Sequence, residues 1–309
     1  MKNSSLQIVS LLKEKEFLEQ KLKNLLYGSI EVRERSNKKY IFVHFRENDK
    51  LVTKYAGEYS DYLYRLISDN SIQAKAIKSQ LRKINKSLME LGYSATPYSE
   101  NASKYINYLK EHTIELIQSI LYADKTPLSI KDIESVLCGE VKHLSSKDVI
   151  KVINLKNAID FILNKHVISN KPDFNILSAI NKFIEEGFIF SAGTLRTTPY
   201  TTDGRYEAPK IPTESIVKKD LKRISEDNVD PIDQAIETLL YIMKHKLFLF
   251  GNKRTAFTYV NCLLITQGEG ILLMPTSLAD DFKKLYIEYR DSNNDAIKHL
   301  IKDKCIVRL

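Results

Sequence analysis

Apolar residues recur every three or four positions along most of the chain, and they alternate strictly in only one early region. The first helical pattern covers residues 6–27, with Ile8, Leu11, Leu12, Phe17, Leu18, Leu22, Leu25 and Leu26 on one side and Lys13, Glu14, Lys15, Glu16 and Glu19 on the other. Gly28 closes it. Three strand patterns follow at 30–35, 40–46 and 51–55, joined by hairpin-type connections at Ser36-Asn37 and at 47–50. A Lys/Arg-rich helical pattern spans 75–91 and stops at Gly92, and the polar stretch 94–103 with Pro97 reads as a linker. Helical periodicity then returns at 104–123, 129–138, 149–166, 172–186, 213–224, 231–250, 255–266, 277–289 and 294–303. Residues 188–206 have alternating and turn character with a hairpin signal at Asp203-Gly204, and Ile271–Met274 is a short apolar run. The pattern predicts a mainly α chain: a helix/three-strand/helix module at 1–93, a linker at 94–103 and a helical domain at 104–309.

Composition narrows the class. No apolar run approaches the roughly 18 residues of a membrane span, and Leu11-Leu12 is followed at once by charges, so a signal-peptide core is missing. Three scattered cysteines, Cys138, Cys262 and Cys305, form neither a disulfide set nor a metal pattern. The expectation is a soluble cytoplasmic protein with no membrane partner. Residues 1–100 hold 18 Lys+Arg against 12 Asp+Glu, whereas the other 209 hold 29 against 27. The early module therefore carries most of the basic excess. Arg33, Arg35, Lys38, Lys39, Arg46 and Lys54 interleave with Tyr40, Phe42 and Tyr55, a pattern that suits nucleic acid, while the favoured reading is a structural or oligomerising arm with solvated charges.

Candidate chemistry concentrates at 246–257, Lys-Leu-Phe-Leu-Phe-Gly-Asn-Lys-Arg-Thr-Ala-Phe. One apolar helical pattern leads in and another leads out. A glycine turn opening a helix aims backbone N–H groups and the positive end of the helix dipole at one spot, which favours an anion such as phosphate. Lys253 and Arg254 add charge-assisted bonds. The alternative is a plain helix–turn–helix corner with two solvated cations.

Phe248-x-x-Gly251-Asn252-Lys253-Arg254-Thr255-Ala256 before an apolar helix resembles the motif of the Fic/Doc (Fido) family, His-Pro-Phe-x-[Asp/Glu]-Gly-Asn-[Gly/Lys]-Arg, with the Lys-Arg-Thr-Ala ending closer to the Doc side. Upstream, Gly193, Leu195, Arg196, Thr197, Thr198, Pro199 and Tyr200 resemble the family's flap, where a target protein docks. The similarity covers roughly 145–290. It implies a mainly α Fic-like domain with a β-hairpin flap, and a nucleotide held by Phe248, Gly251, Asn252, Lys253 and Arg254. It also implies ATP or another nucleoside triphosphate as substrate, with AMP or phosphate passing to a hydroxyl of a target protein, as in bacterial toxin–antitoxin Doc proteins.

This sequence departs from the motif where chemistry is done. The family's catalytic histidine falls on Lys246, its metal-binding carboxylate on Phe250, and a second arginine on Phe257. No protein metal ligand remains, so Mg²⁺ would be held mainly by phosphates. Base candidates are Lys246, in register, and His245, one residue out and so rotated by about 100° on a helix. The family's inhibitory helix, [Ser/Thr]-x-x-x-Glu-[Gly/Asn], has only an off-register candidate in Glu134 behind Ser129. Two functions stay open: a Fic-type transferase with impaired or altered catalysis, or an inactive Fic-fold regulatory protein that also touches nucleic acid.

Overall fold

The computed structural model describes residues 4–47, 50–93, 98–141, 143–200 and 208–309. The chain forms two compact units, 1–92 and 93–309.

In the first unit, α1 (Ser4–Lys23) is followed by β1 (Ser29–Arg35), β2 (Lys38–Glu47) and β3 (Lys50–Glu58), then by α2 (Asp61–Glu90). The strands form one antiparallel sheet in the order β1-β2-β3. Ser36 and Asn37 both take positive φ, 48° and 59°, as the two-residue hairpin turn requires. The alternation in β2 decides the inner face. Ile41 and Val43 are fully buried against Ile67 of α2, with Ile30, Phe45 and Leu63 around them. The sequence pattern started α2 at residue 75, but the helix begins fourteen residues earlier at Asp61, capped by Ser60, which accepts from the Leu63 N–H at 3.1 Å. Its first half was missed because its exposed tyrosines blur the helical period.

The second unit is helical. It contains α3 (Glu100–Glu111), α4 (Thr113–Ala123), α5 (Ile130–Leu137), α6 (Ser146–Ile162), α7 (Lys165–Ile168), α8 (Phe174–Ile184), α9 (Glu214–Asp227), α10 (Pro231–His245), α11 (Asn252–Gln267), α12 (Ala279–Ser292) and α13 (Ala296–Lys304). A two-residue ladder pairs β4 (Ile271–Leu272) with β5 (Ile306–Val307). The pattern at 104–123 is two helices broken at His112, and α3 begins inside the stretch read as linker.

The core is built around α11. Every residue from Arg254 to Ile265 is buried, so this helix lies inside the domain with every face covered. It packs on α10, α8, α6, α4 and α3. Its polar residues are bonded internally. Asn261 donates to the carbonyls of Phe257 and Leu272 and accepts from the Leu272 N–H, tying β4 to the helix. The three cysteines are free thiols, and burial pushes Cys262 up to about 12.

Candidate functional site

The candidate motif sits where α10 meets α11. Pro231 occupies the first turn of α10 behind the Asp230 cap, so the helix start follows ordinary rules. Its end does not. The apolar pattern continues to Phe250, but the helix stops at His245 because Lys246 takes the left-handed conformation, φ 49° and ψ 59°. A side chain there costs about 1–2 kcal/mol, and the surroundings offset it. Arg196 Nε donates to the Lys246 carbonyl at 2.6 Å, and the Arg196 N–H donates to the Leu247 carbonyl at 3.0 Å. Leu195 and Phe248 form an antiparallel bridge. Asn252 then closes the turn on itself: its Oδ1 accepts from the Phe248 N–H at 2.9 Å and its Nδ2 donates to the Phe248 carbonyl at 2.8 Å. Phe248 is buried and Gly251 opens α11 at φ 71°.

The flap segment is bound to this turn by fully buried Asn181 of α8. Its Nδ2 donates to the Phe250 carbonyl and to Thr255 Oγ1, and its Oδ1 accepts from the Gly193 N–H. Ser178 also donates to the Gly193 carbonyl. Arg196 is buried, and its guanidinium is spent on the carbonyls of Lys246, Thr198, Pro209 and Lys210. Of the flap residues expected to dock a target, Gly193 and Arg196 are therefore internal, Leu195 and Tyr200 are half-buried, and Thr197, Thr198 and Pro199 are exposed. Asp203-Gly204 lies outside the described residues.

Arg254 is held by two carboxylates, and its buried Nη1 has no partner among the described residues. Its Nε donates to Asp124 Oδ2 at 2.9 Å and its Nη2 to Glu185 Oε1 at 2.8 Å. Asp124 ends α4 and Glu185 ends α8. Neither was a sequence candidate, since each lies tens of residues from the motif and only folding brings it there. Burial raises the Glu185 carboxyl above the usual range, although Arg254 opposes this. Beside the pair opens a cleft of about 240 Å³ lined by Lys147, Lys151, Phe188 and Phe250. Glu134 stands exposed on α5, and the carboxylates that meet Arg254 are Asp124 and Glu185.

Two ammonium groups share the other side of the turn. Lys246 Nζ lies 5.8 Å from the Tyr286 ring centre and 5.9 Å from that of Tyr200, and Lys253 Nζ lies 5.8 Å from Tyr286. Lys253 Nζ also donates to the Ala123 carbonyl at 3.0 Å. Burial, with the neighbouring charges of Lys253 and Arg290, brings Lys246 down to about 8. Burial lowers Lys253 as well. No side chain caps α11. His245 is exposed, its ring 4.6 Å from that of Tyr241, and it lines a separate cleft of about 600 Å³ with Asp220, Lys244 and Arg290. The one-residue offset thus puts His245 and Lys246 on different sides of the helix end.

Phe250 presents an apolar ring, 54% exposed, at the position where the resembling motif carries a metal-binding carboxylate. Among the described residues no group of three His, Cys, Asp or Glu side chains could hold a metal ion. The residues present do not fit a protein-anchored Mg²⁺.

No family model matches the sequence, and no curated protein matches it. Solved structures do. A fragment of Fic-1 from C. elegans shares 18% identity at a TM-score of 0.50, covering 79% of this chain and 73% of its own. A single-substitution variant of that fragment gives 17% identity and a TM-score of 0.53, with 78% and 73% covered. A Fic-domain-containing signaling protein from Bacteroides thetaiotaomicron gives 15% and 0.50, with 66% and 80% covered. The fold is Fic-like. It is mainly α, and at such identities the likeness is one of fold alone. Within this Fic-like frame, the turn between α10 and α11 is built from side chains that seal it: Asn252, Asn181, Arg196, Asp124 and Glu185.

Proposed function

We propose that this Fic-like protein binds a nucleoside triphosphate at the start of α11, and that it transfers AMP or phosphate to a protein hydroxyl poorly or not at all. The observation that carries this reading is the pairing of Lys246 and Lys253 around Tyr286 at a helix start that no side chain caps. Two ammoniums and the free amides at the positive end of a helix dipole attract phosphate oxygens. Arg254, expected in the cradle, is held by Asp124 and Glu185 and serves as a strut behind it. Mg²⁺ enters with the nucleotide, coordinated by phosphates and water.

Lys246 stands where the resemblance places a proton acceptor. As an ammonium it binds phosphate and accepts nothing. One observation favours the second reading, a slow transferase: with its pKa near 8, a fraction of Lys246 is neutral at neutral pH and able to take a hydroxyl proton. The exposed flap residues Thr197, Thr198 and Pro199 are then the docking edge for the target.

Calorimetric titration of the full chain with a non-hydrolysable ATP analogue tests the site. Each charge-assisted bond contributes about 1.5–3 kcal/mol, so Lys246→Ala with Lys253→Ala should weaken binding at least tenfold. Absence of binding, or binding that ignores both changes, overturns the placement. Transfer of label from ATP labelled at the α- or γ-phosphate tests catalysis. Lys246→His with Phe250→Asp should raise it by about 10²–10⁴-fold, the usual worth of a general base. Robust wild-type transfer that survives Lys246→Ala would point to a different base.

A further inference from the structure

The sheet of the first unit has one buried face and one face of different chemistry. Because Ile41 and Val43 point inward, Tyr40 and Phe42 point outward, and the register sets Phe42 opposite Tyr55. The three rings form a patch. The ring centres of Phe42 and Tyr55 are 5.5 Å apart, and those of Tyr40 and Tyr55 are 6.3 Å apart. Tyr55 is 54% exposed. The Arg33 guanidinium lies 4.4 Å over Phe42 and extends the patch by stacking.

Charge around the patch has one sign left over. Its carboxylates are already matched: Glu31 accepts from Arg33 at 2.9 and 2.8 Å and meets His44 at 2.7 Å, while Glu58 pairs with Lys38 at 2.8 Å. Arg33 beside His44 holds Glu31 down at about 2, so it stays ionised and satisfied. By register Arg35 continues the same face at one end of the patch, where it has no ion pair among the described residues. Residues 1–92 as a whole hold 18 Lys+Arg against 11 Asp+Glu. Three adjacent aromatic rings, Tyr55 exposed and Tyr40 and Phe42 half-buried, with a cationic surround match flat bases on a polyanionic backbone.

We infer that this face binds single-stranded nucleic acid, with bases stacked on Tyr40, Phe42 and Tyr55 and phosphates attracted by the surrounding excess of Arg and Lys. A duplex hides its base faces and cannot use the rings, so the geometry selects single strands. The inference is independent of the nucleotide site, since none of its residues belongs to the second unit.

The test is fluorescence anisotropy on the full chain with labelled oligo-dT, oligo-U and a duplex, each about 12 nucleotides long, a length within the site sizes of stacking proteins. Single strands should bind at about 50 mM salt at least tenfold more tightly than the duplex, and should weaken steeply by about 200 mM as counterion release requires. Tyr55→Ala should reduce affinity about tenfold or more, and Tyr55→Phe should retain it, because stacking needs the ring and not the hydroxyl. Circular dichroism on each variant confirms that the sheet is intact. A preference between oligo-dT and oligo-U assigns DNA or RNA. No binding at low salt, a preference for duplex, or affinity indifferent to Tyr55→Ala in a folded variant each overturns the inference.

Discussion

Gly251→Ala tests the packing behind the candidate site. Gly251 sits at φ 71°, where an alanine costs about 1 kcal/mol more than glycine. The added Cβ would lie 2.3 Å from Glu185 Oε1 and 3.1 Å from Ile184 Cγ2. Ile184 is fully buried, so the carboxylate has to give way. Moving it breaks the Arg254–Glu185 pair, whose side chains are 8% and 3% exposed. Breaking a buried pair costs about 3–5 kcal/mol, and the lower end applies because Asp124 keeps hold of the Arg254 Nε. The single change should therefore cost about 4 kcal/mol, of which about 3 is the displaced carboxylate. Glu185→Ala alone should cost about 3 kcal/mol, and adding Gly251→Ala to it only about 1 more, because nothing remains to be pushed aside. The coupling between the two sites is then about 3 kcal/mol. Hydrogen exchange of the α11 amides in the full chain reads these differences as loss of protection, without assuming that both units unfold together. Additive effects of the two substitutions, or a Gly251→Ala variant as protected as wild type, would refute the argument.

Two further outcomes follow from the same geometry. Lys246 has its pKa lowered to about 8, so its buried charge penalises the fold below that pH, and the penalty lifts as pH rises from about 8 towards the ordinary lysine range. The wild type should thus gain up to about 3 kcal/mol of stability over that window relative to Lys246→Met, and parallel stability–pH curves for the two proteins would contradict the burial argument. Asn181→Ala removes the three hydrogen bonds that tie the flap to the turn, those with the Phe250 carbonyl, Thr255 Oγ1 and the Gly193 N–H. It should cost about 3 kcal/mol and open residues 197–200 to limited proteolysis, and a resistant flap would show that the Leu195–Phe248 bridge with the Arg196 and Ser178 bonds suffices.

What the sequence determined by itself is local. Period-two alternation around Ile41, Val43 and Phe45 identified the strands, and the 3.6-residue period gave most of the helices of the second unit, though not the break at His112 or the end of α10 at His245. Gly251 and Asn252 marked the turn that resembles the Fic motif, and the Fic-like fold agrees with that resemblance. These features need only neighbouring residues, because strand pleat, helical pitch and glycine's conformational freedom act over a few positions. The tertiary structure decided the rest. Lys246 ends α10 in a left-handed conformation with no glycine to announce it, because Arg196, fifty residues away, binds its carbonyl. Arg254 meets Asp124 and Glu185 from across the helical domain, at separations of 130 and 69 residues. Arg196 reads as a docking residue in sequence and is a buried strut among four carbonyls in the fold. Desolvation brings Lys246 down to about 8, and a pKa shift of that origin depends on what packs over the side chain, which no short stretch of sequence contains.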